Sequence, residues 1–318
     1  MSELPSYQEL PAAPRGGRSA WGLFGPDDNL GLVNLLTPER VTTAARLVRT
    51  GQMFPLDMPL GSIDPGLARY RGTPRHTVLH RPGTVGFDDL YDNFYPQASS
   101  QWDSLGHVGY GPDEFYNGAT ETEILAGTRN TIDHWARHGI AGRAVLLDIP
   151  RAMGAAGHEY GPGEAIALGV PELELARRQA GLDFAPGDFI LLHTGFAAWY
   201  CDQPQAVKDR MHGRVNAPGI AHTEEVCEYL WDSHAAAIAS DTYGVEVFPA
   251  DFSPAAYPMG FLHQMLIGQL GMALGELWWL NDLAAACAAD GFYECFLVSA
   301  PLNAPGGIGS PANALAIK

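Results

Sequence analysis

Cations are scarce in this chain: 19 lysines and arginines stand against 36 aspartates and glutamates, a formal net charge of −17 over 318 residues. Binding DNA or RNA needs clustered basic side chains that displace counterions, and no basic stripe is present, which argues against a nucleic-acid partner. The same charge is repelled by an anionic membrane surface. Long hydrophobic runs are missing too, since no stretch reaches the roughly 18 apolar residues of a membrane span. Met1 to Gly22 has no apolar run after its first charges and reads as neither signal peptide nor anchor. Cysteine is sparse: Cys201, Cys227, Cys287 and Cys295 form no C-x-x-C pair. That speaks against a disulfide framework or a thiolate zinc knuckle and for a reducing cytoplasm. No G-x-S-x-G turn is present to strain a serine nucleophile, although Ser99, Ser100 and Ser104 lie near His107.

What is present is the composition of an ordinary globular protein, 46% apolar and 17% charged, without repeats or an interior linker. Residues 1–20, rich in Pro, Gly and Ala, read as an extended arm lying on the surface or on a partner, and residues 21–318 as one domain. Thr37 and Pro38 open a helix with Val41, Ala44, Ala45 and Val48 as its apolar stripe, ended by Gly51. Short β-like runs from Met53 to Val85 carry His76 and His80, which read as packed or solvent-facing rather than as ligands. Thr120 and Glu123 make a capping box for a helix carrying Ile124, Leu125, Ile132 and Trp135, stopped by Gly139. Ala144–Leu147 and Phe189–Leu192 are continuous apolar runs of buried strands, with a helix from Pro171 between them. Strand, helix, strand predicts an α/β protein with a partly parallel sheet. Glu224 to Ala239 reads as a helix, the run from Ala236 as a strand carrying Asp241 inward as a cap, and Phe296–Ala300 as a last strand. Gly306-Gly307-Ile308-Gly309-Ser310-Pro311 is a structural turn and not a phosphate loop, because no Lys follows and Pro311 blocks a Walker-type helix.

The chemistry concentrates between Gln97 and His107, where amides, a carboxylate and an imidazole share one short polar run. In an extended chain, side chains two apart share a face, so Gln97, Gln101, Asp103 and His107 point one way and Trp102 the other. The apolar segment Phe261 to Trp279 has helical spacing but contains His263 and Glu276. These two converge only if that helix ends near Gly271 or Gly275.

Four segments in one order resemble the cyclase family of metal-dependent hydrolases, which includes bacterial kynurenine formamidase and isatin hydrolase. They are Gln101-Trp102-Asp103 with His107, Pro186-Gly187-Asp188 leading to His193-Thr194-Gly195, His263 to Glu276, and Pro301-Leu302 through Gly309-Ser310-Pro311. The resemblance implies a swivelling β/β/α fold, usually dimeric, with metal held by the motif H-x-G-T-H-x-D. It makes Asp103 a ligand, His107 the proton carrier, and His263 and Glu276 counterparts of later ligands. Gln97 and Gln101 stand where the motif has histidine, as in a branch sharing the Q-W-D form. Amide and carboxylate oxygens suit Mn²⁺ or Mg²⁺ better than Zn²⁺, so the implied divalent metal is Mn²⁺ in preference to zinc, with Asp103, Gln101, His263 and Glu276 as ligands.

Two functions follow. In one, a hydrolase of amide, lactam or lactone bonds uses metal-activated water and His107 as proton shuttle. Trp102, Gln97, His193 and Phe196 then form the substrate pocket, with Trp199 and Tyr243 further candidates for an apolar wall suited to a ring. In the other, the chain keeps the fold as a metal-free small-molecule-binding protein.

Overall fold

The two apolar runs at 144–147 and 189–192 become neighbouring parallel strands in the middle of a nine-stranded mixed sheet. The computed structural model describes residues 4–318. In chain order the strands are β1 (Met53–Pro55), β2 (Arg75–His80), β3 (Phe87–Asp92), β4 (Gln101–Asp103), β5 (Ile140–Asp148), β6 (Ala167–Leu168) and β7 (Phe189–His193). Next come β8 (Gly219–Ile220), β9 (Ala237–Ser240), β10 (Ala273–Glu276), β11 (Glu294–Ser299), β12 (Gly309–Pro311) and β13 (Ala314–Ile317). The large sheet runs β1-β13-β11-β5-β7-β9-β10-β4-β12. Its centre, β5-β7-β9-β10, is parallel because helices cross between those strands, and its flanks are antiparallel. Helices Pro38–Ala45, Val170–Ala180 and Asn281–Asp290 pack on β5, giving the expected mixed α/β architecture in one domain. No helix is long and apolar enough to cross a membrane among the described residues.

The sheet's far flank positions the chemistry. Antiparallel pairing sets Leu274 against Asp103, Gly275 against Trp102 and Glu276 against Gln101. Directly opposed residues share a face, so Gln101, Asp103 and Glu276 stand on one side and Trp102 on the other. Behind the sheet Trp102 meets Trp278 edge-on at 4.8 Å and Trp135 at 6.1 Å, all three fully buried. The Trp102 indole donates to Ser299 Oγ at 2.8 Å and the Trp278 indole to the Gln101 carbonyl at 2.9 Å.

Several local expectations are corrected. The helix opened by Thr37 stops at Ala45, well short of Gly51: only Ala44 of its proposed stripe is buried, and Val48 is exposed. The Thr120–Glu123 capping box forms, but its helix ends at Leu125, itself exposed. Gly127 turns the chain with φ +66° where a Cβ would sit 2.8 Å from Gly306 Cα, and a second helix, Ile132–His138, then runs to Gly139. Helix Glu224–Asp232 is shorter than the 224–239 span, giving way to β9 after His234 takes φ +54°. The helical spacing over 261–279 yields only a short helix, and the chain breaks at Gly271, one of the two glycines where it had to end for His263 and Glu276 to converge. A single turn, His263–Leu266, is followed by Gly271 at φ +65° and then by β10.

Residues 4–20 pack onto their own chain, with Tyr7, Leu10, Ala13 and Ala20 buried. Tyr7 N–H donates to Asp232 Oδ1 at 2.7 Å, and the Trp231 indole donates to the Pro5 carbonyl at 2.9 Å. The β2–β3 hairpin is different: every residue of both strands is exposed. His76 lies 2.6 Å from Asp89 and stacks on Tyr91, and His80 leans on Phe87, so each histidine packs within the hairpin.

Candidate metal centre

Asp103 from β4, His263 from the turn after Leu262 and Glu276 from β10 bring one donor atom each to within 4.8 Å of one another, all three buried. His263 Nε2 is 3.0 Å from Glu276 Oε1 and 3.7 Å from Asp103 Oδ2. Asp103 Oδ2 and Gln101 Oε1 are buried without a hydrogen-bond partner, the mark of a site whose acceptors are reserved. Gln97 does not join the donors. Its amide N–H groups reach Asp103 Oδ1 and, at 3.0 Å, His107 Nδ1, bridging the two. That contact leaves the proton of a neutral His107 on Nε2, which is 3.7 Å from Asp103 Oδ1. Gln97 can lie there because Gly309 on β12 has no side chain: a Cβ would come within 2.5 Å of Gln97 Cγ.

The sequence reading missed the residue that holds His263. Glu246, almost wholly buried, accepts the Leu262 N–H at 2.6 Å, the His263 N–H at 3.1 Å and the His263 Nδ1 proton, and its other side lies 2.8 Å from His222 Nε2. With Nδ1 committed to a carboxylate, Nε2 faces Asp103 and Glu276, the outer-shell arrangement that fixes metal-ligating histidines. The backbone is strained on the way in: Val245, a β-branched residue, has φ +59°, and Leu277 directly after Glu276 has φ +55°. A lone acid in the apolar run Val245-Glu246-Val247-Phe248 was the available signal.

Charge follows from this geometry. Burial opposes ionisation of Asp103, but the charge of His107 and that of His263, whose Nε2 is 3.7 Å away, prevail and hold its pKa well below the usual carboxylate range. Burial likewise disfavours a charged His263, yet its contacts with Asp103, Glu246 and Glu276 raise its pKa far above that of free histidine. His107 goes the other way, lowered first by burial and then by His263 and Arg71, against the pull of Asp103. Three carboxylates thus surround one imidazole, a donor set short of positive charge that fits a hard divalent cation.

A cleft of about 1000 Å³ opens beside this cluster, with His107, Tyr243, Phe248 and Phe261 in its wall. Phe261 lies flat on His263 at 4.5 Å. The other residues expected around the substrate stand away from this cleft. Trp102 is sealed behind the sheet, and Phe196 lies in a second apolar cluster, where it packs against Trp199. His193 ends β7 buried, its Nδ1 3.0 Å from Asp148 Oδ1. None of the three lines the cleft. An aromatic or histidine in an apolar run is consigned to core by whatever packs behind it, which no local pattern reveals. Asp241 is the cap expected, accepting from Thr194 N–H at 2.6 Å and Gly195 N–H at 2.8 Å. Gly106 stands in the turn closed by the His107 N–H on the Ser104 carbonyl at 3.0 Å, and a Cβ there would lie 3.0 Å from the Asn130 carbonyl.

Comparison with known proteins agrees with this architecture. Residues 54–247 match the Cyclase family, a span that stops before His263 and Glu276. A crystal structure described as a novel cyclase is 32% identical with a TM-score of 0.82, covering 94% of this chain and 99% of its own. Isatin hydrolase A from Ralstonia solanacearum is 18% identical with a TM-score of 0.61, covering 84% of this chain and 92% of its own. Isatin hydrolase A from Labrenzia aggregata, bound to benzyl benzoate, is 16% identical with a TM-score of 0.59, covering 86% and 94%. No protein of curated function matches by sequence. Matched over more than half its length, and sharing nearly all of it with a solved cyclase at 32% identity, the chain belongs to the Cyclase family.

Proposed function

We propose that this protein is a metal-dependent hydrolase that opens an amide, lactam or lactone bond in a small ring-bearing substrate. The observation that carries the reading is the convergence of Asp103, His263 and Glu276 within 4.8 Å, next to the partnerless Gln101 and Asp103 oxygens and beside an aromatic-walled cleft. Asp103, His263, Glu276 and Gln101 would hold the ion, Mn²⁺ in preference to Zn²⁺ because three of the four offer oxygen. A divalent ion bound there supplies Lewis acidity toward a carbonyl and lowers the pKa of water. The chain does the rest. Asp103, kept anionic, anchors the site; Glu246 fixes the His263 tautomer; Gln97 orients His107 through Nδ1. His107 carries the proton between water and leaving group: its lowered pKa favours the neutral ring, which presents its N–H from Nε2 and takes up a proton at Nδ1 when the Gln97 amide releases it. Tyr243, Phe248 and Phe261 offer ring faces to the substrate. Isatin, the substrate named for the solved hydrolases of this fold, is itself a cyclic amide fused to an aromatic ring.

Asp103→Ala tests the reading: it is expected to abolish both Mn²⁺ content and metal-dependent turnover in a screen of formyl amides, lactams and lactones. Equal metal in wild type and variant would defeat it. One observation favours the metal-free binding protein instead, namely that both His263 nitrogens already face carboxylates. Inactivity with every added metal, alongside tight binding of a small molecule, would decide for that alternative.

We also read the protein as a cytoplasmic homodimer or higher homo-oligomer. All four cysteines are unpaired, in keeping with a reducing compartment. The β2–β3 hairpin exposes Val78, Phe87 and Leu90 with no core of its own, and an isolated two-stranded hairpin is marginal in water unless something packs on it. A monomer by light scattering at micromolar concentration would count against the dimer.

A further inference from the structure

The cleft beside the metal centre has an electrostatic character opposite to that of the molecule. Asp and Glu outnumber Lys and Arg by 36 to 19, yet among the described residues no carboxylate lines this cleft, and its lining cations, apart from the imidazole of His107, are Arg69 and Arg214. Neither guanidinium has a carboxylate partner within salt-bridge distance among the described residues. They are also brought toward one another. Gly213, at φ +66°, donates its N–H to the Leu67 carbonyl at 2.8 Å, and a Cβ there would lie 2.3 Å from Arg69 Cγ and Nε. The Arg69 side chain therefore lies across the very turn that carries Arg214. A third arginine, Arg71, points deeper and donates to the Gln97 carbonyl, next to the amide that bridges Asp103 and His107. Two unpaired like charges held together in an acidic protein repel one another unless an anion sits between them, and planar guanidinium groups match a carboxylate with paired N–H donors. Exposed Phe252 and Tyr70 beside them offer ring faces at the mouth.

We propose that the cleft selects an aromatic carboxylate, whose carboxylate group, separate from the bond to be cut, is held at Arg69 and Arg214 while the ring lies among the aromatic side chains. The substrate class is then an anionic ring compound in place of a neutral one. This rests on the cleft being the substrate's place in the proposed hydrolase.

Calorimetric titration of the full-length protein with benzoate and with its neutral counterpart benzamide, with and without Mn²⁺, tests it. Benzoate is expected to bind at least about tenfold more tightly than benzamide, with added salt weakening only benzoate. Arg69→Gln and Arg214→Gln should each lower benzoate affinity about five- to tenfold and leave benzamide unchanged, and Arg69→Lys should recover part of the loss. Both side chains are exposed, so thermal unfolding of the variants should match wild type. Equal affinity for the two probes, or variants that weaken both alike, would overturn the proposal. Because no turnover is involved, the two readings fail separately. A failed hydrolase reading shows as no metal-dependent hydrolysis with the anion preference intact, and a failed inference as the reverse.

Discussion

A single methyl group on Gly309 should disable the site from a strand that contributes no donor to it. The added Cβ would lie 2.5 Å from Gln97 Cγ and 2.6 Å from Gln97 Cδ, against an ordinary contact of 3.4 Å or more. The backbone of β12 is tied to β4 in register, Gly309 against Asp103, so the flexible Gln97 side chain yields and its amide moves by about 1 Å, a displacement that can cost on the order of 10² in rate. Two contacts are lost together: the hydrogen bond to anionic Asp103, worth roughly 1.5–3 kcal/mol, and that to His107 Nδ1, worth roughly 1 kcal/mol. The second donates to the neutral imidazole, so removing it favours the protonated form. The His107 pKa therefore rises, and the more exposed Asp103 charge acts in the same direction. Titration of the His107 ring by NMR reads this directly and needs no substrate. Gln97→Ala should raise the pKa likewise, and the Gly309→Ala/Gln97→Ala double variant should be no worse than Gln97→Ala alone. An unchanged His107 pKa in Gly309→Ala, or strictly additive effects in the double variant, would refute the role given to Gln97.

Three further outcomes are expected. His107→Asn should lower kcat by about 10²–10⁴ while leaving metal content and Tm nearly intact; near wild-type turnover would end its role as proton carrier. Glu246→Gln, which keeps shape but removes the charge that fixes the His263 tautomer, should weaken Mn²⁺ binding by about 10- to 100-fold in equilibrium dialysis, and unchanged affinity would make Glu246 merely structural. Away from the site, burial pushes the Asp188 carboxyl up to about 6 despite the Arg143 guanidinium 2.7 Å away. A raised carboxyl contributes stability below its unfolded pKa that is lost as pH rises through its folded one. Urea unfolding should therefore show wild type losing ground to Asp188→Asn between about pH 4 and 7, by on the order of 3 kcal/mol at most, and a flat or opposite difference would contradict it.

How much of this was legible beforehand divides along physical lines. Properties set within a few residues were readable. The period of two that separates Gln101 and Asp103 from Trp102 is a property of any extended chain, and the strand at 101–103 obeys it. Continuous apolar runs became β5 and β7, and Thr120 with Glu123 capped a helix, because burial of whole strands and local capping need no distant partner. His107, by contrast, reaches the site around a turn after Ser104, not along one extended strand.

Properties that depend on what lies across the fold were decided only by tertiary structure. The apolar stretch after Phe261 has helical spacing, but Gly268 passes where a Cβ would meet Tyr110 N at 2.5 Å and Gly275 where one would meet Ala239 Cβ at 2.8 Å, so close packing made it a turn and a strand. That change, and the register of β10 on β4, put Glu276 opposite Gln101. Trp102 and Phe196 became core because other side chains closed over them, while Glu246, 17 residues from His263, acquired its role from a strained turn. The sequence by itself determined the central buried strands and the local caps, the two-faced polar motif and the kind of chemistry its donors can support. Which donors meet, which aromatics face the cleft and where the arginines gather depended on long-range packing, because those contacts join residues whose separation along the chain has no regular period.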